Sequence, residues 1–179
     1  MKKTAEKFSV QIAKIEHLQF ADELCKMYEE SAKKRGTGIA KRDPEYIKEK
    51  IIQEKAIIAI SAHQQIAGFC YIETWEGKNY VANSGLIVKE DFRHHGLAKR
   101  IKKFVFEHTR KKFPNAKIFG ITTSLAVMKL NSDLGYKPVT FSELTQDDAF
   151  WSGCKSCINY DVLTRTERKN CLCTAMLFN

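Results

Sequence analysis

From position 86 the chain reads Leu86-Ile87-Val88-Lys89-Glu90-Asp91-Phe92-Arg93-His94-His95-Gly96-Leu97-Ala98-Lys99. An apolar strand end runs into a short loop and then into a helical pattern. Arg93-x-x-Gly96-x-Ala98 puts small residues where backbone must come close to a ligand. The first amides of a helix have no intrahelical acceptor, and the helix dipole adds positive potential there. Together they hold anions, and a pyrophosphate fits such a cradle. Arg93 and Lys99 add charge, and His94 and His95 help to hold phosphate. No Gly-Lys-Ser/Thr follows, so this is not a Walker A loop, and the glycine spacing is not that of a dinucleotide fingerprint. Taken alone, the motif also describes an ordinary helix start.

A second group of reactive side chains lies near the C-terminus. Cys154-x-x-Cys157 and Cys171-x-Cys173 could bind a structural zinc as four thiolates. The second pair departs from the commoner C-x-x-C spacing. On a strand, Cys171 and Cys173 would share one face. Reduced packing cysteines are the alternative. Cys25 and Cys70 sit in apolar patterns and read as small core residues.

These groups need a scaffold, and hydrophobic periodicity supplies one. Residues 8–15 alternate as a strand. Phe20, Leu24, Met27 and Tyr28 recur at helical spacing, which predicts a helix over 20–33 that breaks at Gly36. Asp43-Pro44 is a helix start, with Ile47 and Ile51 facing inward. Strands are expected over 56–62, 66–74 and 79–89, forming an antiparallel meander. A helix over 96–112 ends before Pro114. A strand over 116–123 leads to a helix capped by Ser124 and stopped by Gly135. Further strands are expected over 139–144 and 157–163. Phe150, Trp151 and Phe178 read as core residues. The order is one mixed α/β domain over 1–163, with 164–179 as a Cys-containing C-terminal extension packing on it.

The order of elements and the Arg93–Ala98 motif together resemble the GNAT superfamily of acyl-CoA-dependent N-acyltransferases. Leu134-Gly135-Tyr136-Lys137 is similar to that family's L-G-F/Y-K ending. The resemblance covers roughly 8–163 and implies a central mixed, mostly antiparallel sheet flanked by helices. It also implies that acetyl-CoA or another short acyl-CoA is bound. Pantetheine would lie along Leu86, Ile87 and Val88, and pyrophosphate on the amides from His94 to Ala98. An amide near Ile87 would stabilise the oxyanion. A base must take a proton from the attacking amine, and the leaving thiolate benefits from an acid. Where many members carry a tyrosine as that acid, four residues before the glycine, this chain has Asn131. Where the family often has an asparagine, it has Ser124. Glu73 is the candidate base, acting through water, and Tyr71 and Tyr80 are alternative acids.

In GNAT-like folds the loop between the first two helices lines the acceptor site. Here it carries Arg35, Lys41 and Arg42, cations that suit carboxylates, with the arginines able to bind them bidentately. The implied acceptor is an acidic small-molecule amine such as glutamate, which would place the protein in amino-acid biosynthesis as an N-acylglutamate synthase-like member. A basic nucleic-acid-binding module with a four-cysteine zinc site, and an acyl-CoA sensor without turnover, are the alternatives.

Composition sets the frame. The chain has 179 residues, 44% of them hydrophobic and 28% charged, with a formal net charge of +9. It can bury a real core, it is not a disordered tail, and its charge favours anionic partners. The basic runs lack interleaved aromatics, so nucleic acid is not the favoured partner. No apolar stretch approaches the roughly 18 residues of a membrane span, and no apolar h-region follows the basic N-terminus. A cytoplasmic, reducing location without a membrane partner is expected. A homodimer is left open.

Overall fold

The computed structural model describes residues 7–36 and 42–179. The chain folds in the order β1 (Phe8–Ile12), α1 (Ala21–Arg35), α2 (Pro44–Ile52), β2 (Ala56–Ser61), β3 (Ile66–Trp75), β4 (Tyr80–Val88), α3 (Leu97–Lys112), β5 (Lys117–Thr122) and α4 (Leu125–Asp133). It continues with β6 (Lys137–Val139), α5 (Asp148–Ser152), α6 (Tyr160–Arg165) and β7 (Thr174–Phe178). The strands form one seven-stranded sheet in the order β1-β2-β3-β4-β5-β7-β6. Every pair is antiparallel except β4 with β5. This is the mixed, mostly antiparallel sheet flanked by helices that the family resemblance implies.

Alternation along the strands divides the core between two faces. Ile58, Ile60, Phe69, Tyr71 and Ile87 pack with Leu24, Tyr28, Ile47 and Ile51 of α1 and α2. Ile57, Ala59, Cys70, Ile72 and Val81 pack under Leu97, Ile101 and Val105 of α3. Local caps begin the helices as expected: Asp43 accepts from the Glu45 amide, and Ser124 from the Val127 amide.

The last third departs from the sequence reading. The segment expected as a strand over 157–163 carries α6, whose Leu163 is buried. The strand expected over 139–144 ends at Val139, and a 3-10 turn follows over Phe141–Glu143, opened by a capping box between Thr140 and Glu143. The segment read as an extension supplies β7, an interior strand between β5 and β6. Cys171 and Cys173 precede that strand. Residues 141–173 thus form an excursion whose Phe141, Leu144, Trp151 and Leu163 cover the sheet face formed by Ala82, Phe119 and Leu177.

Candidate active site

The site begins with a break in the sheet. The parallel ladder pairs Tyr80–Ala82 with Lys117–Phe119 and ends there, although β4 runs on to Val88 and β5 to Thr122. Against β3 the register changes from Phe69↔Ile87 to Tyr71↔Ser84, so Gly85 and Leu86 together oppose Cys70. Such a bulge bends its strand and re-aims the following residues. Gly85 has a φ of 66°. A Cβ there would overlap the Tyr71 ring and approach the Tyr28 hydroxyl to 2.8 Å. Tyr28 donates a hydrogen bond to the Gly85 carbonyl and so fixes the bulge to α1.

The splay between β4 and β5 opens a cavity of about 280 Å³ that reaches both faces of the sheet. Tyr28 and Arg42 line it on the α1–α2 side, and Lys102 and Asn131 on the α3–α4 side. Leu86 and Ile87 form its β4 edge. The Lys89 amide donates to the Ala67 carbonyl at 2.9 Å. Amides alternate direction along a strand, so that of Ile87 also turns toward β3, and those of Leu86 and Val88 face the splay. Arg93 confirms the direction: its Nε donates to the outward-facing Val88 carbonyl at 3.2 Å. The amides near Ile87 that are free of β3 are therefore those of Leu86 and Val88.

Beyond Val88 the chain reaches the segment expected to cradle an anion. His94 and Gly96 have φ values of 66° and 70°, and Gly96 is the N-cap of α3 with no side-chain cap. The amides of Leu97, Ala98 and Lys99 lie in the first helical turn, where no intrahelical acceptor exists. A Cβ on Gly96 would meet open space. The Leu97 side chain is buried in the core, so only its backbone is open to a ligand there. His94 and His95 are exposed. Lys99 pairs with Asp133 at 3.4 Å and ties α3 to α4. Ser124 is spent on its cap, and the cavity touches Thr123 and Val127 on either side of it.

The expected catalytic residues separate. Asn131 is buried beneath the splay, its Nδ2 3.6 Å from the Met176 sulfur and its Oδ1 without a partner among the described residues. Glu73 stands on the α1–α2 face and accepts from the Tyr46 hydroxyl, outside the cavity lining. Tyr80 sits at the closed end of the ladder, its hydroxyl donating to the Glu143 carbonyl at 3.4 Å. Tyr71 accepts from Arg42 Nε at 2.9 Å. Burial pushes the Tyr71 hydroxyl up to about 12, against the opposing effect of Arg42.

Of the three cations expected at the acceptor end, the structure brings Arg42 to the cavity. Its guanidinium lies 4.2 Å from the Tyr28 ring centroid and 5.6 Å from that of Tyr71. Burial works against its charge, and the Tyr71 and Tyr28 contacts outweigh that. Lys41 lies outside the described residues, as does the side chain of Arg35. Cys154, Cys157, Cys171 and Cys173 line the same cavity from the excursion. Burial, then neighbouring thiols, push Cys154 up to about 11 and Cys173 up to about 12. Among the described residues no group of three or more His, Cys, Asp or Glu could hold a metal ion. The expected four-cysteine zinc site is not supported.

Residues 18–131 match the model of the acetyltransferase (GNAT) family, which is more than half of the chain. The chain belongs to the GNAT family. By that membership it is an acyl-CoA-dependent N-acetyltransferase. No curated protein matches the chain. Solved structures share the GNAT fold. N-acetylglutamate synthase from Neisseria gonorrhoeae, complexed with coenzyme A and N-acetylglutamate, aligns with a TM-score of 0.66 at 14% identity over 98% of this chain. The chain spans 35% of that protein's length. Rv2747 from Mycobacterium tuberculosis, in complex with CoA, gives 0.67 at 12% identity, covering 95% of this chain and 98% of the other. Mosquito arylalkylamine N-acetyltransferase like 5b gives 0.66 at 14%, covering 96% and 99%. Among the described residues no helix of this GNAT domain is long and apolar enough to cross a membrane.

Sequence reasoning missed Gly85, Tyr28, Tyr46 and Lys102. A glycine inside a strand pattern was the available signal for the first, since it marks a bulge or a close approach. Nothing local marks the two tyrosines, whose partners lie 57 and 27 residues away.

Proposed function

We propose that this GNAT domain transfers an acetyl or other short acyl group from acyl-CoA to the primary amine of an acidic amino acid such as glutamate. Arg42 carries this reading. It is held by two tyrosines beside the bulge and opens on the cavity, where a carboxylate would receive a charge-assisted, bidentate contact. Arg42 and Lys102 are the charged side chains that line the cavity, and no carboxylate lines it among the described residues. That balance suits an acid and opposes a polyamine. The named neighbours include an N-acetylglutamate synthase and an arylalkylamine N-acetyltransferase-like protein, so the fold leaves the choice to such local features.

The residues present fit a CoA thioester. Open space beside Gly96 admits a phosphate to the α3 amides, and the cavity that Leu86 and Ile87 edge has room for the thioester arm. In this reading the amides of His94 to Lys99 and the Arg93 guanidinium hold the pyrophosphate. The splay-facing groups of Leu86 and Val88 pair with the pantetheine arm. One of those two amides stabilises the oxyanion, typically worth about 3 kcal/mol. Glu73, oriented by Tyr46, takes a proton from the amine through water.

Free-thiol release from acetyl-CoA and succinyl-CoA, measured across a panel of amino acids, neutral amines and polyamines, tests the reading. Turnover confined to acidic acceptors supports it, and turnover that favours polyamines overturns it. A second reading, a CoA-binding sensor, is favoured by Asn131 standing where many members place a tyrosine. It expects CoA binding without thiol release from any acceptor.

A further inference from the structure

Lys102 is the cation that the acceptor reading leaves unused. It lies on α3 and is 2% exposed, yet its side chain lines the splay. Its ammonium sits 5.2 Å from the Tyr136 ring centroid. Beside it stand Cys70 of β3 and Tyr136 ahead of β6, and Asn83 of β4 and Asn131 of α4 line the same cavity. Asn83 is already engaged, donating to Thr109 at 2.8 Å and accepting from the Tyr136 hydroxyl at 3.2 Å. Among the described residues no carboxylate pairs with Lys102. Burial pushes its ammonium below the ordinary lysine range, and the nearby Cys70 thiol opposes that only in part. Cys70 is itself pushed up to about 11 by burial and so stays a neutral thiol at pH 7. Tyr136 is raised in the same way.

An ammonium buried without an anion costs several kcal/mol. A group that develops negative charge in the cavity would offset that cost. On the reading given above, that group is the departing CoA sulfur. The usual place for its acid is held by Asn131, whose unpartnered atom is an acceptor. A carboxamide has no proton acidic enough to give.

We propose that Lys102 is the proton donor to the CoA leaving group, resting on the assignment of the thioester to the β4–β5 splay. The acceptor nitrogen forms its bond to the acyl carbon, and the C–S bond breaks with its electron pair going to sulfur. Lys102 gives one ammonium proton to that sulfur, leaving free CoA thiol and a neutral amine. The proton lost by the acceptor passes through water to Glu73 and on to solvent, and solvent recharges Lys102.

The test pairs CoA titration calorimetry with the ultraviolet absorbance of the bound thiolate as a function of pH. It uses wild type, Lys102→Met and Lys102→Arg. In wild type the bound thiol ionises about one pH unit or more below the free thiol, because a neighbouring cation favours the thiolate. Lys102→Met removes a desolvated charge and is expected to fold. It binds CoA within a few fold of wild type, its thiol returns to the free value, and kcat falls by about a hundredfold or more. Lys102→Arg keeps the thiol shift but not the turnover, since a guanidinium does not release its proton. Equal thiol ionisation in wild type and Lys102→Met overturns the proposal alone. So does an acyl mass found on Lys102 after incubation with acetyl-CoA, which would make it an acceptor. A wild-type protein that binds no CoA overturns the splay assignment and the proposal with it.

Discussion

Replacing Gly85 with alanine tests whether the bulge is as constrained as its contacts indicate. Two costs are independent of function. The backbone sits at φ 66°, which costs an L-residue about 1 to 2 kcal/mol. The new methyl would run into Tyr71 and meet the Tyr28 hydroxyl at 2.8 Å, and both rings are only 3% exposed. Forcing a methyl into such packing costs about 1 to 3 kcal/mol. Displacing the Tyr28 hydroxyl from the Gly85 carbonyl adds about 1 kcal/mol. The sum, about 3 to 6 kcal/mol, corresponds to a Tm loss of more than about 6 °C for a chain of this size. Gly36→Ala is the control. It has a comparable φ of 59°, but nothing lies within 4 Å of its Cβ, so it should lose only about 1 kcal/mol. Thermal melts followed by circular dichroism compare the two. If Gly85→Ala melts within about 2 °C of Gly36→Ala, the packing argument for the bulge is wrong.

Removing the Arg42 guanidinium by substitution with Met should raise KM for glutamate by about 10- to 150-fold, the worth of a charge-assisted hydrogen bond. KM for a neutral amine of similar size should change by less than about threefold, and steady-state kinetics on both acceptors would expose an equal loss. Gly96→Val strains a φ of 70° and fills the open space beside the cradle, so calorimetry should show CoA affinity reduced at least tenfold with the fold intact by circular dichroism. Cys154 and Cys173 ionise at about 11 and about 12 against an ordinary thiol value of 9.0. The folded protein holds those protons longer than the unfolded chain. Their contribution to stability is therefore complete below pH 9 and falls as the pH rises through that window. In reducing buffer the melting temperature of wild type should drop more between pH 8.5 and 10.5 than that of a Cys154→Ser/Cys173→Ser variant.

Periodicity carried the fold through α4 because each element there shows a clean apolar pattern, and α2 and α4 add explicit side-chain caps. It failed where local cues were brief. Ile158, Tyr160 and Val162 alternate like a strand, yet Leu163 is the residue that reaches the core, and a helix presents it. Thr140-x-x-Glu143 was a legible capping box inside a segment that reads as apolar strand. The place of β7 inside the sheet depends on pairing with β5 and β6, which no local pattern encodes. The site divides in the same way. The glycine turn that starts α3 at Gly96 was legible because its demands on the backbone are local. Arg42 was visible as a cation in a loop, but its clamp between Tyr28 and Tyr71 is tertiary. Lys102 was lost in a basic run whose other members are mainly exposed. Four cysteines at suggestive spacings line one wall of the cavity without forming a metal site among the described residues.

Amide hydrogen exchange with and without CoA tests the central claim most directly. The account predicts slowed exchange at Leu97, Ala98 and Lys99, where phosphate would accept, together with Leu86 or Val88 on the open edge of β4. CoA that binds while those amides keep their unliganded exchange rates would place the cofactor elsewhere and contradict the account.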